Sequence, residues 1–273
     1  MKAIKGKVHL EILSLMKCGI DKENMKLLLI HIQNIPNLRF LNIGENEFNA
    51  TSDGSLLVNT ISKLTNLTSI ALNNCNIGND VMYNLFQGLK KLAFLKEIYI
   101  TNNNLSDYFA EKIQQKDMKK EFKGLTHFNI CGNNLTEKGA GFLGKFLENK
   151  YEIQYVRIGS NRIRPDGLKL ILRSLEGKGK VTDIDIGENI LGDEGATILF
   201  KFLEQNKVLE YLNIMKNDIS EEKIMNILHL LKRQTIACKI NVYGNKIKDE
   251  TITKYFNSGA QNTSANQTSS HKK

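Results

Sequence analysis

A spacing constrains this chain more than any single residue does. An eleven-residue pattern opens at Leu10, Leu38, Leu67, Leu95, Leu125, Ile153, Val181, Leu209 and Ala237, at intervals of 28, 29, 28, 30, 28, 28, 28 and 28 residues. Its ninth position is Cys18, Asn46, Cys75, Asn103, Asn133, Asn161, Asn189, Asn217 and Asn245. Segment 181–207 shows the unit most clearly. Val181, Ile184 and Ile186 place apolar side chains as a short strand does, and Gly187 to Asn189 form a sharp turn. Gly192 and Asp193 then open a helix whose Ala196, Leu199, Phe202 and Leu203 recur at the spacing of one buried stripe. One such unit cannot bury both of its apolar faces. Nine in phase predict a solenoid in which each unit is the core partner of the next.

These residues resemble the leucine-rich repeat. The unit length and the full helix per unit are similar to the ribonuclease-inhibitor type, which is also found in NOD-like immune-receptor sensor domains and in the activator of the Ran GTPase. The resemblance covers about residues 10–256 and implies an α/β horseshoe solenoid, with parallel strands on the concave face and helices on the convex face. Residues 1–9 are then a short lead or partial cap, to which Ile4 and Val8 are expected to contribute a partial strand. Residues 257–273 are a polar tail expected to be disordered, since so few apolar groups cannot offset the entropy of ordering. Asn262 and Asn266 in it begin N-x-S/T triplets, which carry no meaning without a secretory route. Inside the repeats, the fourth unit is longer and its charged segment QQKDMKKEFKG is expected to bulge outward. Gly139, Gly167 and Gly195 are expected where a turn approaches a strand. Pro165 suits the first turn of a helix, and ETITKYF reads as a last helix with Ile252, Tyr255 and Phe256 inward.

Composition narrows the function classes. No apolar run approaches the ~20 residues that cross a bilayer, and no apolar h-region precedes the first repeat, so a cytoplasmic chain without a signal peptide is expected. Cys18 and Cys75 occupy the turn position, where a small group is expected to face inward. They lie two strands apart, about twice ~4.8 Å, which is too far for a disulfide. No cysteine has metal-site spacing, so neither a metal nor a cofactor is expected. The formal charge is +9. Lys90, Lys91, Lys119, Lys120, Lys123, Lys178 and Lys180 fall near helix ends and inter-unit turns and read as solvated convex surface, and the absence of interleaved aromatic and basic residues argues against nucleic acid.

Function is legible in the strand rows. Period-two alternation sends positions three, five and seven of each segment into the concave face. The third row is Ile12, Phe40, Ser69, Glu97, His127, Tyr155, Asp183, Tyr211, Lys239; the fifth is Ser14, Asn42, Ala71, Tyr99, Asn129, Arg157, Asp185, Asn213, Asn241. The seventh runs from Met16 to Tyr243. Phe40, Tyr99, Tyr155, Arg157, Asp183, Asp185, Tyr211 and Tyr243 are the expected contact surface for a protein partner, because exposed tyrosine and arginine are the usual anchors of interfaces. Arg157 and Asp185 are expected to pair across adjacent strands. Glu97, His127 and Tyr155 read as a polar ladder, since Cys131 lies about 13 Å along the strand from His127 and cannot serve it as a nucleophile.

No catalytic motif appears, so the expectation is a monomeric, non-enzymatic recognition domain. The resemblance implies two contexts for it, an innate-immune sensor or an effector that an intracellular bacterium delivers into host cytosol, and the Lys-, Asn- and Ile-rich usage of an AT-rich genome fits a bacterium or protist. The rival is a GTPase activator of the Ran type, although none of that family's functional positions can be matched here and the long acidic tail is absent.

Overall fold

The computed structural model describes residues 6–46, 48, 50–234 and 237–257. Nine strands alternate with helices in chain order: β1 Ile12–Ser14, β2 Phe40–Asn42, β3 Ser69–Ala71, β4 Glu97–Tyr99, β5 His127–Asn129, β6 Tyr155–Arg157, β7 Asp183–Asp185, β8 Tyr211–Asn213 and β9 Lys239–Asn241. All pair in parallel in the order of the sequence, forming one open sheet. The helices are α1 Lys22–Ile32, α2 Ala50–Ile61, α3 Asn79–Leu89, α4 Asp107–Ile113, α5 Lys116–Lys119, α6 Glu137–Leu147, α7 Arg164–Leu175, α8 Gly192–Gln205, α9 Glu221–Arg233 and α10 Asp249–Asn257. This is an α/β leucine-rich-repeat horseshoe solenoid.

The core lies between strands and helices. The middle residue of each strand is buried, as in Ile98, Phe128, Val156, Ile184 and Leu212. Each meets a helix stripe such as Ala196, Leu199, Phe202 and Leu203. Helix starts are set locally: the side chains of Asp21, Ser106, Thr136 and Ser220 accept a backbone N–H of the first turn, which satisfies donors the helix itself leaves free. Pro165 sits in the first turn of α7, as expected.

The turn asparagines stitch one unit to the one before. Asn189 donates to the carbonyl of Ile158 in the preceding unit at 3.0 Å and to those of Ile186 and Gly187 in its own. Its oxygen accepts the Ile163 amide. Asn46, Asn103, Asn133, Asn161, Asn217 and Asn245 repeat that reach to the previous unit. Buried backbone groups that the turn cannot pair internally are satisfied this way. Cys75 keeps only weak thiol contacts to the carbonyls of Ile43 and Asn73.

Several expectations change. Cys18 is exposed, not inward, because no strand stands on the outer side of β1 among the described residues to receive its side chain. All four cysteines are free. The inserted segment of the fourth unit does not bulge. It ends α4 early and forms α5, burying Met118 and Phe122, and Phe122 joins Phe86 and Phe146 at ring separations of 5.5 and 6.1 Å. Gly139 and Gly167 serve helix packing, Gly195 a close local contact at the start of its own helix, and none of them a turn-to-strand approach. A Cβ on Gly139 would meet Asp107 of α4 at 2.1 Å and one on Gly167 would meet Ala140 of α6 at 2.8 Å, while at Gly195 it would meet Leu191, just before α8, at 2.6 Å.

At the ends, Val8 lies exposed in a turn and not in a strand, and Ile4 falls outside the described residues. Tyr255 is buried in α10 and its hydroxyl donates to the Leu228 carbonyl at 2.7 Å. The placement of the Phe256 side chain and the tail from residue 258 onward, with Asn262 and Asn266, also lie outside the described residues.

Candidate recognition surface

The strand register delivers the rows as read. His127 stands opposite Tyr155, Tyr155 opposite Asp183, Asp183 opposite Tyr211, and Arg157 opposite Asp185. Along the third row the imidazole of His127 stacks on the Tyr155 ring at 3.9 Å and 12°. Tyr99 is tilted toward His127 at 6.5 Å and donates its hydroxyl to Glu97 at 3.2 Å. Glu97 lies 3.9 Å from His127 Nδ1, so the Glu-His-Tyr ladder is present.

Arg157 does not pair as expected. Its guanidinium forks onto Asp183, Nε at 2.9 Å and Nη2 at 2.7 Å, and lies 5.5 Å from the Tyr211 ring. Asp185, directly opposite, is already committed: it accepts the Gly187 amide at 3.0 Å and the Asn213 side chain at 2.9 Å. A carboxylate closing its own turn leaves the long arginine to reach diagonally to the free one. Asp183 is thereby buried beneath the guanidinium, and it drops out of the expected contact surface as an exposed group. The bond to Asp183 raises the Arg157 pKa further above its already high value.

The same turn chemistry sorts the rest of the fifth row. Asn42, Asn129, Asp185, Asn213 and Asn241 each accept the amide two residues on, closing a local turn at the strand end. Tyr99 and Arg157 are free of that duty. This is a signal sequence reasoning missed, although the short polar residue at a fixed place after each strand carries it.

Together Tyr99, His127, Asn129, Tyr155 and Arg157 line a groove of about 220 Å³ on the strand face. Its side chains are half-buried. Burial pushes the Tyr99 phenol up to about 12, with Glu97 adding to the shift, and pushes Tyr211 up as well. Burial also lowers the His127 pKa below 6.5, against the pull of Glu97. The ring nitrogen Nδ1 sits 2.8 Å from Thr126 Oγ1, which also lies 3.1 Å from the Lys96 carbonyl. Phe40 and Tyr243 stand apart, Phe40 half-buried on β2 and Tyr243 exposed beyond β9.

On the convex side the lysine reading needs correction. Lys91, Lys120, Lys123 and Lys180 are exposed. Lys178 is half-buried and its ammonium donates to the carbonyls of Leu147 and Lys150. Lys150, unremarked in the sequence, is fully buried and donates to the Lys119 carbonyl at 2.8 Å while lying 4.3 Å over the Phe146 ring. These amines cap carbonyls at helix ends. Burial lowers both to about 8, with Lys178 and Lys119 adding repulsion at Lys150.

Among the described residues no helix is long and apolar enough to cross a membrane, and no cluster of His, Cys, Asp and Glu could hold a metal ion. No protein-family model matches this chain, and no curated protein matches it either. Among solved structures it is similar to the actin-binding site 2 of leiomodin-1, at 15% identity and a TM-score of 0.41, over 74% of this chain and 93% of that one. A likeness that distant carries no functional argument.

Proposed function

We propose that this chain is a non-enzymatic protein-recognition module of the ribonuclease-inhibitor-like type, which binds one protein partner through the strand face at β4 to β8. The observation that carries the reading is the ordered layer of Tyr99, His127, Tyr155, Arg157 and Tyr211. These groups are locked by a ring stack and a two-bond ion pair with no internal role in the apolar core. Rings and a guanidinium already held in place lose little entropy on binding, which is what an interface anchor requires. Burial raises the thiols of Cys75, Cys131 and Cys238, the reverse of what activates a nucleophile, so these three are read as structural groups in the proposal.

The test is affinity capture from eukaryotic cytosolic lysate with the wild type and with a Tyr155→Ala, Arg157→Glu, Tyr211→Ala variant whose fold is checked by circular dichroism. A protein retained by the first and lost by the second is expected, and its identity separates the immune-sensor context from the delivered-effector context. Equal retention by both contradicts the reading. Acceleration of GTP hydrolysis by a small GTPase on adding the purified chain would replace it with the Ran-activator alternative.

A further inference from the structure

The charge of the strand face differs in sign from that of the molecule. Its three inward rows carry Glu97, Asp183 and Asp185 against Arg157 and Lys239, a net of −1 with His127 neutral, on a chain of formal charge +9. Two of the carboxylates are committed, Asp183 to Arg157 and Asp185 to its turn. Glu97 is the remaining one. Its side chain is 33% exposed, and its ion-pair neighbour among the described residues is the imidazole of His127 at 3.9 Å, which is neutral near pH 7. The Tyr99 hydroxyl and the His127–Tyr155 stack stand beside it.

The face also displays the chemistry that such a place accepts. Arg157 lies between a third-row carboxylate, Asp183, and a third-row tyrosine ring, Tyr211, at 2.7 and 5.5 Å. Glu97, at the edge of the groove beside Tyr99, His127 and Tyr155, is a second carboxylate-and-ring setting in the same sheet; Arg157, which also lines the groove, is held by Asp183, so Glu97 has no lysine or arginine ion-pair partner among the described residues. An arginine or lysine side chain entering the groove would gain the carboxylate as an ion pair and the ring faces as cation–π partners.

Building on the recognition reading above, we propose that the partner presents a basic segment, and that one arginine or lysine of it docks in the groove of Tyr99, His127 and Tyr155 against Glu97. An acidic segment would meet Glu97, Asp183 and Asp185 with one arginine already neutralised. The charge balance opposes it.

Selection of random dodecapeptides displayed on phage against the folded chain tests this, with each selected peptide then measured by calorimetry on the wild type, on Glu97→Gln and on Tyr155→Ala/Arg157→Glu. The proposal expects arginine and lysine to be enriched in the selected peptides, and Glu97→Gln to weaken them about tenfold. Enrichment of aspartate and glutamate, with binding still lost in Tyr155→Ala/Arg157→Glu, overturns the basic-partner proposal and leaves the recognition surface standing. Peptides that bind all three proteins equally, or an empty selection, overturn both. Glu97 is partly exposed and Gln is isosteric, so this variant separates charge from fold.

Discussion

The first three repeats and the five that follow use one backbone plan and different chemistry. In the first three, the turn position is Cys18, Asn46 and Cys75, and the strand face offers Ile12, Phe40, Ser69 and Ala71. From the fourth to the eighth, every turn position is asparagine. The strand face there carries a ring stack, a forked ion pair and the groove at Tyr99 to Arg157. The helix side is reinforced over part of the same span by the Phe122, Phe128 and Phe146 rings, against which Phe86 of the third repeat also packs, and by the Lys150 and Lys178 caps. The difference teaches that the candidate site sits where neighbouring units are most completely hydrogen-bonded to each other. A surface that must hold rings in register needs rigid strands beneath it.

Breaking the stitch should therefore cost far more in the central span. Asn189→Ala removes three donated bonds and one accepted bond from a fully buried site, and a loss of about 2 to 4 kcal/mol is expected in chemical denaturation. Cys75→Ala deletes only weak thiol contacts and should cost about 1 kcal/mol or less. Comparable losses from the two variants would remove the asparagine stitch as the basis of the contrast.

The two halves of the strand face should also separate in binding. Tyr155→Ala is expected to weaken the captured partner by about tenfold or more, while Phe40→Ala, outside the groove, should change affinity less than about threefold. A larger effect at Phe40 would move the site toward the first repeats. Surface plasmon resonance against the immobilised partner decides between them.

The smallest expected effect concerns Lys150. Its folded pKa, lowered to about 8 by burial, lies below the unfolded value near ~10.4. Between these values the unfolded chain binds more protons, so stability rises with pH across that window. Relative to Lys150→Met, the wild type should gain about 1 to 2 kcal/mol between pH 8 and 9.5, read from urea midpoints. Parallel curves for the two proteins would mean that the amine is better solvated than its burial implies.

Much of this was legible from period and spacing. Units of 28 to 30 residues with an apolar alternation admit one economical packing, and strict period two put Tyr99, Tyr155, Arg157 and Tyr211 on one face. What spacing does not encode is competition between side chains. Arg157 prefers the diagonal Asp183 because Asp185 is taken by Gly187 and Asn213, a contest set by distances in space. Lys150 reads as a solvated lysine by type, and only the neighbouring unit shows that its ammonium closes the end of α5. Gly139 and Gly167 were visible as a recurrence, but which surfaces they bring together depends on how the helices stack.

The central claim is that the partner lies on the strand face at β5 and β6. It is tested most directly by placing the photocrosslinking residue p-benzoylphenylalanine at position 155, in the groove, and separately at position 142, beside the helix-side groove that Gly141, Leu170 and Arg173 line. Irradiation with the captured partner should give a covalent adduct from position 155 and none from position 142. An adduct from 142 alone would place the functional contact on the helices and contradict the account.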